Sequence, residues 1–237
     1  MKYIRIFSVI VITVLFISCS KINGEGDVVS ETRDVTGYTS VTLDMDGTVN
    51  YIQDSAYALV IRGQQNILDR IETVVVNNKL EIRYKKNVII GFHEPIVVEV
   101  NAPDVSTLSI DGSGQINMFD MWETYSCDLN VSGSGDINLA SVYAHDISAN
   151  ISGSGNINVA WGLASYEDLN ISGSGTIDML EVEADTVYAS ISASGNILVW
   201  AVKYLNATIS GSGNIKYKGN PVLDSHISGS GNVIHLP

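Results

Sequence analysis

The chain has 237 residues, room for one large or two small domains. Its 13 Lys and Arg against 26 Asp and Glu give a formal charge of −13, which argues against a nucleic-acid partner because no basic stripe exists to release phosphate counterions. Hydrophobic residues at 45% and charged ones at 16% exclude an acidic disordered chain, and 21 Gly at regular intervals against 4 Pro exclude a proline-rich linker or a collagen.

Met1 to Ser18 reads as a processing signal, with Lys2 and Arg5 ahead of a 12-residue apolar run, Ile6 to Ile17, broken only by Ser8 and Thr13. That run is too short to span a bilayer and fits the core of a signal peptide. Leu15-Phe16-Ile17-Ser18-Cys19-Ser20 resembles a bacterial lipoprotein signal, which implies cleavage before Cys19 and acylation of it. An ordinary signal peptide that happens to contain a cysteine is the alternative. Acyl chains would hold the protein on a membrane without a spanning helix. Loss of residues 1–18 removes Lys2 and Arg5, leaving 11 basic and 26 acidic residues and a charge of −15. Cys127 is then alone and reads as a small buried residue, in phase with Leu129 and Val131.

Residues 19–30, with Gly24 and Gly26, read as a short tether from the lipid. Residues 31–105 read as irregular β rungs or a β cap. Val41 to Met45, Val49 to Tyr51, Leu59 to Ile61, Leu80 to Tyr84 and Ile96 to Val100 look like strands, and Gln65 to Glu72 has room for one helical turn. A cap is expected because an open solenoid end exposes unpaired backbone.

From residue 106 to 237 a repeat takes over. Seven Gly-Ser-Gly-like motifs, flanked by β-branched apolar residues, place their second glycines at 114, 135, 155, 175, 195, 213 and 231, so the spacings are 21, 20, 20, 20, 18 and 18. Around each motif apolar and polar residues alternate, the period of a half-buried strand. The pattern predicts an all-β, parallel β-helix-like solenoid of about seven rungs of 18–21 residues, stacked at about 4.8 Å. Ile110, Val131, Ile151, Ile171, Ile191, Ile209 and Ile227 form one internal ladder, and the series from Ile116 to Val233 a second. The glycines either let the backbone pinch or turn a corner at positive φ. Ala193, the one exception at the first glycine, marks that site as the more tolerant.

Asn130, Asn150 and Asn170 form a polar register whose amides can bond from rung to rung. Ser132, Ser152 and Ser172, with Ser134, Ser154 and Ser174 beside them, form an exposed strip of small polar residues. Together these nine residues are the candidate binding surface.

Arg33 to Leu43, Asn78 to Ile82 and the repeated Gly-Ser-Gly-Asn-Ile resemble the head GIN domain family, also called auto-transporter adhesin-like proteins, found as lipoproteins of Gram-negative bacteria. The resemblance implies a β-helix-like fold, exposure outside the inner membrane and a binding role, and it carries over no catalytic residue.

Catalytic signals are sparse. Gly-Ser-Gly lacks the lysine and helix of a phosphate cradle, and the spacing of a nucleophile elbow is missing. His93, His145, His226 and His235 lack metal-ligand spacing, so neither metal nor cofactor is expected. Asp128, Asp168 and Asp224 share a register, and two rungs place Asp128 about 10 Å from Asp168, awkward for retaining and marginal for inverting glycoside chemistry. Trp122, Trp161 and Trp200 are either corner core or platforms for sugar rings. The leading expectation is a lipid-anchored outer-membrane protein, on the surface or the periplasmic face, that binds a glycan or envelope protein without catalysis. The alternatives are a self-associating structural component and, less favoured, a polysaccharide-cleaving β-helix.

Overall fold

The computed structural model describes residues 21–237, so the signal-like segment and Cys19 lie outside the described residues. The chain is nearly all β and winds a solenoid of about six turns, matching the six intervals between seven Gly-Ser-Gly copies. Each turn carries three strand runs. The first precedes the glycine corner, as in Ser126–Val131, and the second follows it, as in Asn156–Val159. The third, such as Val142 to Ala144 against Gly162 to Ala164, leads into the next turn.

Pairing is parallel and in phase. Val131 lies between Ile110 and Ile151, and Ile137 between Ile116 and Ile157. Both predicted ladders are buried until the last rung, where Ile227 becomes 46% exposed. Stiff β-branched side chains suit this stacking because along each ladder one β-branched side chain meets another above or below. The drop from 20- to 18-residue turns occurs beyond the second run. There Met179 pairs with Val199 and Glu183 with the adjacent Trp200, so Leu180 to Val182 have no counterpart, while Val202 and Lys203 stand where the longer turn has only Asp185, a net loss of two residues.

Close approach, rather than turn geometry, explains the glycines. Gly133, Gly135, Gly153 and Gly155 are absent from the positive-φ residues, and only the end positions Gly47 and Gly229 of this corner register take a positive φ among the described residues. A Cβ on Gly155 would collide with the Gly135 carbonyl oxygen, and one on Gly153 with that of Gly133. By Cβ contact the first glycine is as tight as the second, yet Ala193 stands at the first position, so that site admits one methyl, as the sequence suggests. Where Ala193 stands, the neighbouring bond from Ser194 N–H to the Gly173 carbonyl is 3.3 Å, longer than the 2.9 Å and 3.0 Å at Ser154 and Ser174.

The irregular half continues the same solenoid out of chain order. Ser40–Asp44 and Thr48–Gln53 pair in parallel with Thr107–Ile110 and Gln115–Glu123, so Met45-Asp46-Gly47 stands in the register of Gly112-Ser113-Gly114. Lys79–Tyr84 and Val97–Ala102 add another parallel layer outside it. Antiparallel strands then close the end: Ala58–Gln64 on Val97–Ala102, Ile71–Val76 on Lys79–Tyr84, and Val28–Thr32 on Ala58–Gln64. The one-turn helix Gln65–Leu68 buries Ile67 and Leu68 within this cap. Part of the expected 19–30 tether is folded, since Ile22 pairs with Ile90 and Val28–Thr32 is a strand. The opposite end is open among the described residues: Val222–Ile227 is exposed along its length and pairs there on one side only.

Among the described residues, one buried position carries a carboxylate. In the ladder Cys127, Ile147, Glu167, Val187 and Leu205, Glu167 is fully buried and neither carboxylate oxygen has a hydrogen-bond partner. Burial pushes its pKa well above the usual carboxyl range. The folded state therefore holds this proton more tightly than the unfolded one. Stability is greatest below the ordinary glutamate pKa and falls as pH rises through the folded value. Glu167→Ile is expected to stabilise by about 1–3 kcal/mol at neutral pH and to flatten the alkaline decline, as measured by urea unfolding from about pH 5 to about pH 9.

Candidate binding surface

The structure gives the asparagine register a mainly internal role. Asn150 Nδ2 donates to Asn130 Oδ1 at 3.2 Å and to Ser148 Oγ at 3.1 Å, while Asn170 Nδ2 donates to Asn150 Oδ1 at 3.3 Å. A second amide ladder, outside the sequence-level expectations, joins Asn50, Asn117, Asn138 and Asn158 across the second run. Ser132, Ser134, Ser152, Ser154, Ser172 and Ser174 are all exposed at the glycine corner. Their N–H groups bond to the preceding rung, which leaves a flat row of hydroxyls. Asn150, Asn170, Ser152 and Ser172 together bound only a shallow depression of about 140 Å³.

A larger concavity lies at another corner, where the third run turns into the next first run. Here Ala144 and Ala164 stack as a narrow floor, with larger residues on either side. The resulting groove of about 660 Å³ is lined by Tyr125, Tyr143, His145, Glu123, Glu183 and Asp185, among others. Tyr125 and His145 are stacked, with ring centroids 5.0 Å apart and planes 3° from parallel. His145 Nδ1 lies 2.8 Å from Asp146 Oδ1, and Tyr143 is about half exposed.

Around the corner, a second depression of about 410 Å³ is lined by Ser126, Asp128, Asp146, Ser148, Tyr166 and Asp168. Tyr166, Tyr188 and Tyr204 continue as a row at 5.3 Å and 5.9 Å between centroids. Burial raises the pKa of Asp128, partly offset by a hydrogen bond with Thr107. Asp168 accepts from Asn170 Nδ2 at 2.9 Å. Ser148 stands between the two aspartates in register, so they form no close carboxylate pair. Lys203 is bound to Asp185 at 2.7 Å, and no Lys or Arg occurs between residues 87 and 202. The surface is aromatic and acidic.

Sequence reasoning missed this corner although its signal was present. Tyr125 and His145 both stand ten residues before a second glycine, hence in one stacked register. The tryptophans divide: Trp122 is core, with Nε1 donating to the Val105 carbonyl. Trp200 lies under the Lys218 ammonium at 4.1 Å, and Trp161 is 46% exposed.

The model of the family described as "putative auto-transporter adhesin, head GIN domain" matches residues 37–221. The chain belongs to this family. It is similar in fold to the crystal structure of a putative adhesin from Bacteroides fragilis, at 23% identity and a TM-score of 0.87, covering 91% of this chain and all of that one. A putative lipid-binding protein from Parabacteroides distasonis is 25% identical with a TM-score of 0.78, covering 92% and 100% of the two chains. A putative adhesin from Parabacteroides merdae is 22% identical with a TM-score of 0.76, covering 92% and 99%. No protein of curated function matches the chain. The family description fits an adhesin-like protein of the cell surface or envelope. No helix among the described residues of this head GIN domain chain is long and apolar enough to cross a membrane.

If the amide register is structural, breaking it will be felt in folding. Asn150→Ala is expected to cost about 1–2 kcal/mol in equilibrium urea unfolding, because it strands the Asn170 amide and the Asn130 carbonyl oxygen.

Proposed function

We propose that this chain is a lipid-anchored outer-membrane adhesin, without catalytic activity, that binds a neutral glycan along the aromatic and acidic corner. The observation that carries this reading is the pairing of the Tyr125–His145 stack and exposed Tyr143 with Glu123 and Glu183 around one groove. Sugar rings present apolar C–H faces that stack on aromatic rings, and their hydroxyls donate to carboxylates. The absence of Lys and Arg from residues 87–202 disfavours sulfated or uronic acid chains, whose charge would meet like charge. The family description supports a binding role. In this reading Cys19 carries the anchor. Asp128 and Asp168, separated by Ser148, bind hydroxyls rather than cleave.

A glycan array probed with the purified protein is expected to retain neutral glycans and not acidic ones. A Tyr125→Ala/Tyr143→Ala variant should bind at least about tenfold more weakly, while Ser152→Ala/Ser172→Ala binds as the parent. Retention of no glycan, or full binding by the tyrosine variant, would overturn the proposal.

A further inference from the structure

The capped end of the rod carries a loop unlike the rest of the surface. Lys85-Lys86-Asn87-Val88-Ile89-Ile90-Gly91-Phe92 contains two adjacent lysines, four large apolar residues and no carboxylate, in a chain of formal charge −13. Asn87 takes a left-handed φ of 62°, which folds the lysine pair into a tight turn. Phe92 is 83% exposed, more than any other large apolar side chain among the described residues, and Ile89 is 42% exposed. Lys21, Lys85 and Lys86 are exposed as well, with one donor of Lys85 Nζ held by the Asp69 carbonyl at 2.7 Å. Apolar tips rimmed by ammonium groups on an otherwise acidic molecule call for a partner that is greasy and anionic together.

The position of the loop identifies that partner. Ile22 N–H donates to the Ile89 carbonyl at 2.9 Å, Gly91 N–H to the Ile22 carbonyl at 2.8 Å, and Gly24 N–H to the Phe92 carbonyl at 2.8 Å. Asn23 Oδ1 accepts from Phe92 N–H at 3.1 Å. The loop is thus pinned to residues 22–24, and Cys19 is three residues upstream, within about 10 Å of Ile22 along even a fully extended chain. Acyl chains on Cys19 would bring this loop to the bilayer.

We propose that the 85–92 loop is a membrane-contact surface, with Phe92 and Ile89 entering the boundary between headgroups and acyl chains of an anionic leaflet while Lys21, Lys85 and Lys86 lie among its phosphates. The proposal deepens the lipid-anchored reading. It sets the rod with its capped end on the membrane and its open end, Val222–Ile227, pointing away. Eight of the eleven Lys and Arg in residues 21–237 lie within residues 21–86, so the field of the molecule favours the same orientation.

Residues 21–237 contain the cap and a continuous core from Tyr38 to Ile215, so this segment, which carries no acyl chain, serves as the probe. In vesicle co-sedimentation it is expected to bind phosphatidylglycerol-containing vesicles, less so as salt rises. Phe92→Ser/Ile89→Ser and Lys85→Glu/Lys86→Glu variants, with circular dichroism spectra like the parent, should each bind at least about tenfold more weakly. No binding by the parent, or undiminished binding by both variants, overturns the contact surface. Mass spectrometry of the full chain reads the anchor separately: an unmodified Cys19 would defeat the lipid-anchored reading, whatever the vesicles show.

Discussion

The constraint on which the structure depends is backbone stacked on backbone at the Gly-Ser-Gly corner. Each glycine sits so close to the carbonyl of its counterpart one rung below that a side chain there would strike it. This contact makes the turn narrow and the rung spacing uniform. Ser152 and Ser154 N–H groups can then donate to the Val131 and Gly133 carbonyls at 2.9 Å each. Uniform spacing in turn places like residues over like, from the isoleucine ladders to the asparagine amides. Glu167, the one buried carboxylate among the described residues, is tolerated by a core that many apolar rungs hold in place.

Strict stacking also decides where recognition can arise. On the serine row it produces a flat surface of hydroxyls, and in the amide ladders it joins polar groups to one another. The corner after the third run departs from this, where small alanines at 144 and 164 lie beside Tyr143, His145 and Leu163. The resulting concavity is the part of the rod where aromatic faces and carboxylates converge. In the proposed arrangement end and flank differ in role, the capped end meeting lipid and the long acidic flank meeting sugar.

The repeat half was legible because one-dimensional periodicity maps directly onto one-dimensional stacking. Ile151 must oppose Val131 and Ile171 once the 20-residue period is seen. The amino-terminal half was legible only as strands, since Met45-Asp46-Gly47 keeps just one of the motif's residues and its spatial neighbour Lys79–Tyr84 comes later in the chain. Out-of-order layering leaves no periodic trace. Glu167 was hidden as well, because a glutamate in phase with core residues looks like a register error until burial is measured. The candidate site was missed for a different reason: Tyr125 and His145 share a register but not a residue type, and a search for identical residues passes over them.

Within the regular rungs, carbonyl contact rather than conformation requires the corner glycines. Equilibrium unfolding of Gly155→Ala beside Ser154→Ala tests this requirement directly. The glycine variant is expected to lose about 2–4 kcal/mol and its exposed neighbour to change by no more than about 0.5 kcal/mol. A Gly155→Ala protein that unfolds at the same denaturant concentration as the parent would contradict the requirement.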